Sequence, residues 1–294
     1  MTVRERPLET MRVPVSLETH AVPRRAASGR LALTVLAGVA LLFMALPIAI
    51  VVPMSFSSAR SLEFPPPGLS LRWYVAFLGD ARWVEALRTS VMVAVVSSAG
   101  ALVLGSVAAY GLVRGTYWGR RQLELNFAAP LVVPHIVIAV ALYVSFARTG
   151  LLGTLPGLIL AHTILGVPYV VLVVSVALRS FDVRLEQIAF TLGASWPVVF
   201  RRVLAPNLAP SLVAAWIFAF IASFDEITIT VFLAGTQETV PKRMFTQLLE
   251  RIDPTITAVA SLLIAASLVA VGLIAILMNR AGLLRRGAVE VERR

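Results

Sequence analysis

Six runs of about 20 apolar residues constrain this chain more than anything else in it. A hydrocarbon layer about 30 Å thick is crossed by about 20 helical residues at 1.5 Å rise each. The runs fall at Leu31–Met54, Leu87–Val113, Phe127–Phe146, Leu155–Leu178, Pro210–Leu233 and Ile256–Met278. Of the 294 residues, 58% are apolar and only 14% charged, whereas soluble domains average about 25% charged. Too little charge is present to coat a soluble fold of this size, and disordered chains are poor in apolar residues. The sequence therefore predicts an all-α membrane protein with six transmembrane helices. The first run is too long for a signal-peptide core and reads as an uncleaved span.

Six spans place both termini on one side, and the positions of the basic residues choose that side. The N-terminal tail, the connections after the second and fourth spans, and the C-terminal tail hold 18 of the 26 basic residues. The opposite loops hold the other 8. Both termini are therefore expected in the cytoplasm. The formal charge of +10 is explained by this topology, and no nucleic-acid partner is needed. Residues 1–30 and 281–294 read as basic cytoplasmic tails, the first rich in Pro, Arg and Ser and expected to be disordered. The transmembrane domain is expected over 31–280. Cysteine is absent, which excludes disulfides, Cys-ligated zinc and thiol chemistry.

Two outer loops carry apolar surface. In the first, Pro65, Pro66, Pro67 and Gly68 forbid helix, and Trp73, Tyr74, Phe77 and Trp83 follow. These aromatics fit an interfacial belt or a docking surface for an external partner. In the last, Val240, Met244, Phe245, Leu248, Leu249 and Ile252 share one helical face, with Lys242, Arg243, Glu250 and Arg251 off it.

The connection from about 179 to 209 is the most informative. Asp182 is placed to cap a helix whose apolar face is Leu185, Ile188, Ala189 and Leu192. Gly193 is placed to end it. Ser195 is placed to cap a second helix opened by Trp196-Pro197 and ended by Pro206 and Pro210. A solvated linker has no use for two apolar faces, so this loop wants a partner.

Here the sequence resembles the membrane-spanning subunits of binding-protein-dependent ABC importers. Their loop motif is E-A-A, three residues, G, nine residues, I-x-L-P. On this chain it covers Gln187-Ile188-Ala189, Gly193 and Val203-Leu204-Ala205-Pro206, with Ala189, Gly193 and Pro206 matching. Gln stands for Glu, Ile for Ala, Val for Ile and Ala for Leu. Within the family the chain looks most like the second permease subunit of spermidine/putrescine importers, through Pro66-Pro67-Gly68-Leu69-Ser70-Leu71-Arg72-Trp73-Tyr74, Ser223-Phe224-Asp225-Glu226 and Ile252-Asp253-Pro254-Thr255-Ile256.

The resemblance implies a type I ABC importer permease fold in a bacterial inner membrane. The implied partners are ABC ATPase subunits, a second and different permease subunit, an external solute-binding protein and the lipid. It further implies that the loop docks on the ATPase through Glu186, Gln187, Ile188, Ala189, Gly193, Ala194 and Pro206. Gln187 removes the family's charge, and Glu186 lies about 100° round the helix from it. The chain has no Walker A motif, since its single lysine, Lys242, follows Pro241. ATP is expected on a separate polypeptide, with no cofactor and no catalytic or metal site in this one.

Four residues are candidates for the substrate pathway: Asp225, Glu226, His135 and His162. The two acids lie about 22 Å into the fifth run, where charge is costly unless it faces a cavity or partner. The plain alternative ends the span near Phe224 and makes both acids interfacial. Each histidine has the alternative of bonding a neighbouring helix. At the His135 position the polyamine subfamily often has Glu, which weakens a polyamine cargo. Pro130, Pro134 and Pro168 are expected to kink their spans. A membrane enzyme is disfavoured, because neither H-E-x-x-H nor G-x-S-x-G is present. A secondary transporter is disfavoured by the lack of an inverted repeat.

Overall fold

A computed structural model of the chain describes residues 25–250 and 253–280. The described residues are mostly helical: α1 (Arg25–Ser55), α2 (Arg72–Gly79), α3 (Ala81–Arg114), α4 (Arg120–Ala128), α5 (His135–Thr149), α6 (Leu155–Ser180), α7 (Val183–Thr191), α8 (Trp196–Val199), α9 (Ala205–Phe224), α10 (Thr228–Leu233), α11 (Val240–Glu250) and α12 (Thr255–Arg280). Among the described residues, five helices are long and apolar enough to cross a membrane, and a sixth crossing exists if α4 and α5 count as one. The tails at 1–24 and 281–294, and Arg251 and Ile252 of the last outer loop, lie outside the described residues.

The chain divides into two compact units at Ala49 and Ile50. The first holds most of α1, which is apolar all round and exposed from Leu31 to Leu46. This helix begins at Arg25, six residues ahead of the first apolar run.

The second unit is built on α3, α6 and α9, whose buried core includes Ala101, Ala109, Val170, Val174, Leu178, Leu204, Ala215 and Ala219. Lipid is as apolar as leucine, so helices in a membrane associate by close van der Waals packing, which small residues permit. Gly105 shows how close: a Cβ there would stand 2.7 Å from Cβ of Val170.

Several expectations need correction. The third run, Phe127–Phe146, is not one straight span, because Arg120–Leu131 and His135–Thr149 meet at a bend of 102°. Pro130 sits in a 3₁₀ turn and Pro134 caps α5 with extended backbone. Proline lacks an N–H and disfavours helix in the residue before it. Pro168, in contrast, stays inside an unbroken α6.

The fifth run, Pro210–Leu233, breaks at 225–227 between α9 and α10. At its other end, Pro206 and Pro210 do not stop the preceding helix. A wide π turn at Phe200–Leu204 joins α8 to α9. Each proline ring would collide with the carbonyl four residues back in a regular helix, and a widened turn ahead of Pro206 relieves that collision.

At the far end of the bundle, Trp83 is core rather than an interfacial anchor. It is 1% exposed, edge-on to Phe77 at 5.6 Å, and clustered with Ala86, Val240 and Val259. The helix expected in the last outer loop is present as α11, yet its buried residues are Val240, Pro241 and Arg243. Arg243 sits 5.0 Å over the Trp83 ring and pairs with Glu238 at 2.8 Å and Asp80 at 3.2 Å. Beside it, partial burial pushes the Lys242 amine below its usual range. Its Nζ donates to the carbonyls of Gly235 and Gln237.

Candidate functional site

The loop between α6 and α9 takes the helix–glycine–helix form expected of it. Asp182 Oδ1 accepts from the Arg184 amide at 2.9 Å and starts α7. Gly193, at φ +83°, ends it with the Gly193 amide on Phe190 O and the Ala194 amide on Ala189 O. That φ costs an L-residue about 1–2 kcal/mol and glycine almost nothing. Ser195 precedes α8 but makes no side-chain cap bond. The apolar residues Leu185, Ile188 and Leu192 are exposed, as are Gln187, Gly193 and Pro206, while Ala189 and Ala194 are half-buried.

Glu186 faces the other way. It is 3% exposed, and its carboxylate accepts from Arg114 Nε at 2.9 Å and Tyr110 OH at 3.2 Å. Arg114 Nη2 closes the ion pair at 2.7 Å. Thus α7 is tied to the last turn of α3, and Glu186 is not presented outward in place of the charge missing at Gln187. Tyr110 also meets Trp196 edge-on at 5.9 Å, and Trp196 stacks on Phe200 at 5.5 Å. These aromatic residues line an apolar cavity of about 450 Å³ with Leu204 and Leu208.

The second site lies at the break after α9. His135, Tyr169, Asp225, Glu226 and Thr228 line a cavity of about 320 Å³. Asp225 is exposed, and its carboxylate has no hydrogen-bond partner among the described residues. Glu226 is buried, with His135 Nδ1 at 2.9 Å from Oε2 and the Ile229 amide donating to Oε1 at 2.9 Å. The helix does end at Phe224, and of the two acids beyond it Glu226 is buried in the protein while Asp225 is exposed.

His162 does not line this cavity. It is 1% exposed, with Nδ1 at 2.8 Å from Ser223 Oγ and Nε2 at 3.1 Å from Thr230 Oγ1. Ser97 of α3 joins the same network through Ser223 at 2.9 Å. Of the four pathway candidates, three come together and the fourth holds α6 to α9 and α10. The sequence reading missed Arg114, Tyr110, Ser97, Ser223, Thr230 and Tyr169. Arg114 was visible only as one charge in a topological count.

Residues 101–282, which span both sites, match the family model described as binding-protein-dependent transport system inner membrane component. The chain belongs to this family. As an ABC importer permease subunit it has polyamine-system relatives. It is 29% identical over 230 residues to the spermidine/putrescine transport system permease protein PotC of Escherichia coli (strain K12), covering 78% of this chain and 87% of PotC. It is 31% identical over 232 residues to the putrescine transport system permease protein PotI of the same strain, covering 76% of this chain and 82% of PotI.

The molybdenum transport system permease protein ModB, also from strain K12, is 31% identical over 186 residues and covers 58% of this chain and 81% of its own length. Among solved structures, a bacterial ABC transporter that imports the acidic polysaccharide alginate aligns with a TM-score of 0.64 at 17% identity, over 86% of this chain and 97% of its own. The MetNI methionine ABC transporter aligns with a TM-score of 0.51 at 18% identity, over 69% and 94%. The fold is that of the type I ABC importer permeases, and the chain is a multi-pass membrane protein.

Proposed function

We propose that this chain is one of two different permease subunits of an ATP-driven importer in a bacterial inner membrane, with both termini in the cytoplasm. Separate ATPase subunits act on it from the cytoplasmic side, and an external binding protein hands it a small solute. The observation that carries this reading is α7, a short helix with Leu185, Ile188 and Leu192 exposed on one side and Glu186 locked to α3 on the other. An exposed apolar face on a rigidly tethered helix is what a docking partner needs in order to push on the bundle.

The cavity at the α9–α10 break is the candidate pathway site. The free carboxylate of Asp225 favours a cation, and the named relatives in polyamine systems make spermidine or putrescine the favoured cargo. One observation supports a different small solute. His135 occupies Glu226, so one carboxylate of the two is free for cargo. The chain itself performs no ATP chemistry.

The test is reconstitution of the chain with its partner permease, ATPase and binding protein in vesicles, with radiolabelled putrescine and spermidine as probes. Uptake is expected to require ATP. Asp225→Asn is expected to lower it about tenfold, the equivalent of about 1.4 kcal/mol, while all subunits still co-purify. Transport of either amine by the isolated chain without an ATPase would overturn the reading. Import of some other solute in place of both amines would overturn the polyamine cargo alone.

A further inference from the structure

The residues that bind α7 to α3 do more than hold a loop in place. We propose that Arg114, Glu186 and Tyr110 form the strut through which a displacement of α7 is passed to α3, with Glu186 as its positioning residue. This rests on the reading of α7 as the ATPase contact, and it assigns Glu186 to the inner side of that contact.

Three donors hold the Glu186 carboxylate: Arg114 Nε at 2.9 Å, Arg114 Nη2 at 2.7 Å and Tyr110 OH at 3.2 Å. The Glu186 side chain is 4% exposed and that of Arg114 18%. Water therefore has little access with which to replace the pair as α7 moves. Separating two desolvated charges is far more costly than separating a surface pair, so α3 must follow α7. Arg114 Nη2 also reaches the carbonyl of Phe181 at 3.5 Å, at the junction of α6 and α7. The same guanidinium thus grips both the helix and its hinge.

Further along, α3 is one unbroken helix from Arg114 back through Ser97. That stretch is about 26 Å long at 1.5 Å per residue. At its far end Ser97 Oγ bonds Ser223 Oγ at 2.9 Å, two residues before Asp225. A movement imposed at Arg114 therefore arrives beside the cavity lined by Asp225 and Glu226. An apolar cavity of about 450 Å³ lies next to Tyr110, between α3, α6 and α9, on the same stretch of α3.

Spatial continuity alone does not establish coupling, so the test must read coupling itself. In the full reconstituted complex, putrescine moved per ATP hydrolysed is measured for the wild type and Glu186→Gln. The ATPase is expected to co-purify with the variant and to keep hydrolysing. Its stimulation by the loaded binding protein is expected to be lost, with the transport-to-hydrolysis ratio falling about tenfold. The exchange pair Arg114→Glu with Glu186→Arg is expected to recover the ratio to within about twofold, where neither single change does.

A merely structural role would lower yield, hydrolysis and transport together and leave the ratio unchanged. An unchanged ratio in Glu186→Gln overturns the strut. If that variant fails to assemble, Tyr110→Phe decides, since it removes one hydroxyl. A ratio lowered about twofold supports the strut, and an unchanged ratio overturns it. Failure of the wild-type chain to hold any ATPase would instead overturn the reading of α7 on which the strut depends.

Discussion

His135 and Glu226 are joined across the cavity at the end of α9, with Nδ1 of the histidine 2.9 Å from Oε2 of the glutamate. The bond ties the start of α5, just past the 102° bend, to the break that separates α9 from α10. Two irregular backbone segments thus meet through one side-chain pair. The glutamate side chain is 6% exposed and the histidine 41%.

His135→Ala is expected to lower the stability of the detergent-solubilised protein by about 2 kcal/mol. That is the scale of a lost hydrogen bond to a charged carboxylate, about 1.5–3 kcal/mol. Thermal unfolding checks it. An unchanged midpoint would mean that Glu226 finds its support from the Ile229 amide alone.

The His162 network predicts a different pattern. His162→Ala removes bonds to Ser223 and Thr230, but Ser223 keeps Ser97 and Thr230 keeps the Glu226 carbonyl. No partner is orphaned, so the loss is that of two hydrogen bonds and a small void, about 2–4 kcal/mol. Thermal unfolding of His162→Ala against His162→Asn separates the two contributions. Equal midpoints for the two variants and the wild type would deny the network any part in holding α6 to α9 and α10.

Close packing of α3 on α6 gives a paired prediction within one helix. A side chain at Gly105 meets Val170, with its Cβ at 2.7 Å, while one at Gly111 meets nothing within 4 Å. Gly105→Ala is expected to destabilise by about 1–3 kcal/mol through overpacking. Gly111→Ala is expected to stabilise by about 0.5–1 kcal/mol through helix propensity. Opposite shifts in thermal midpoint are the expected result, and shifts of the same sign would contradict the packing.

What could be read from the sequence was what depends on near neighbours. The start of α7 at Asp182 and its stop at Gly193 are settled within a few residues, by a hydrogen bond from the Arg184 amide to Asp182 Oδ1 and by a positive φ. An end of α9 near Phe224 was one of two readings open in the sequence, but the separate α10 was hidden, because Ile227, Ile229, Val231, Phe232 and Leu233 resume the apolar pattern. Hydropathy sees composition rather than the continuity of a helix. Pro206 misled for the related reason that a π turn just ahead absorbs it, and Pro210 stays inside α9. The Arg114–Glu186 pair joins residues 72 apart in the chain, and Arg243 reaches Asp80 across 163. No local pattern announces such pairs. The acids at 225 and 226 were found by their rarity in an apolar run, but which of them is free required the fold.

In the proposed transporter, a separate ATPase acts on the exposed face of α7. The chain has no cysteine, so single cysteines can be placed at will. Ile188→Cys lies on the exposed face of α7, whereas Trp118→Cys lies on the connection after α3 and replaces a side chain that is 98% exposed. Cross-linking of each to the ATPase subunit in the assembled transporter is the direct measurement. A strong cross-link from position 188 that changes with ATP binding is expected, and a weak one from 118. A cross-link from 118 with none from 188 would contradict this placement of the ATPase.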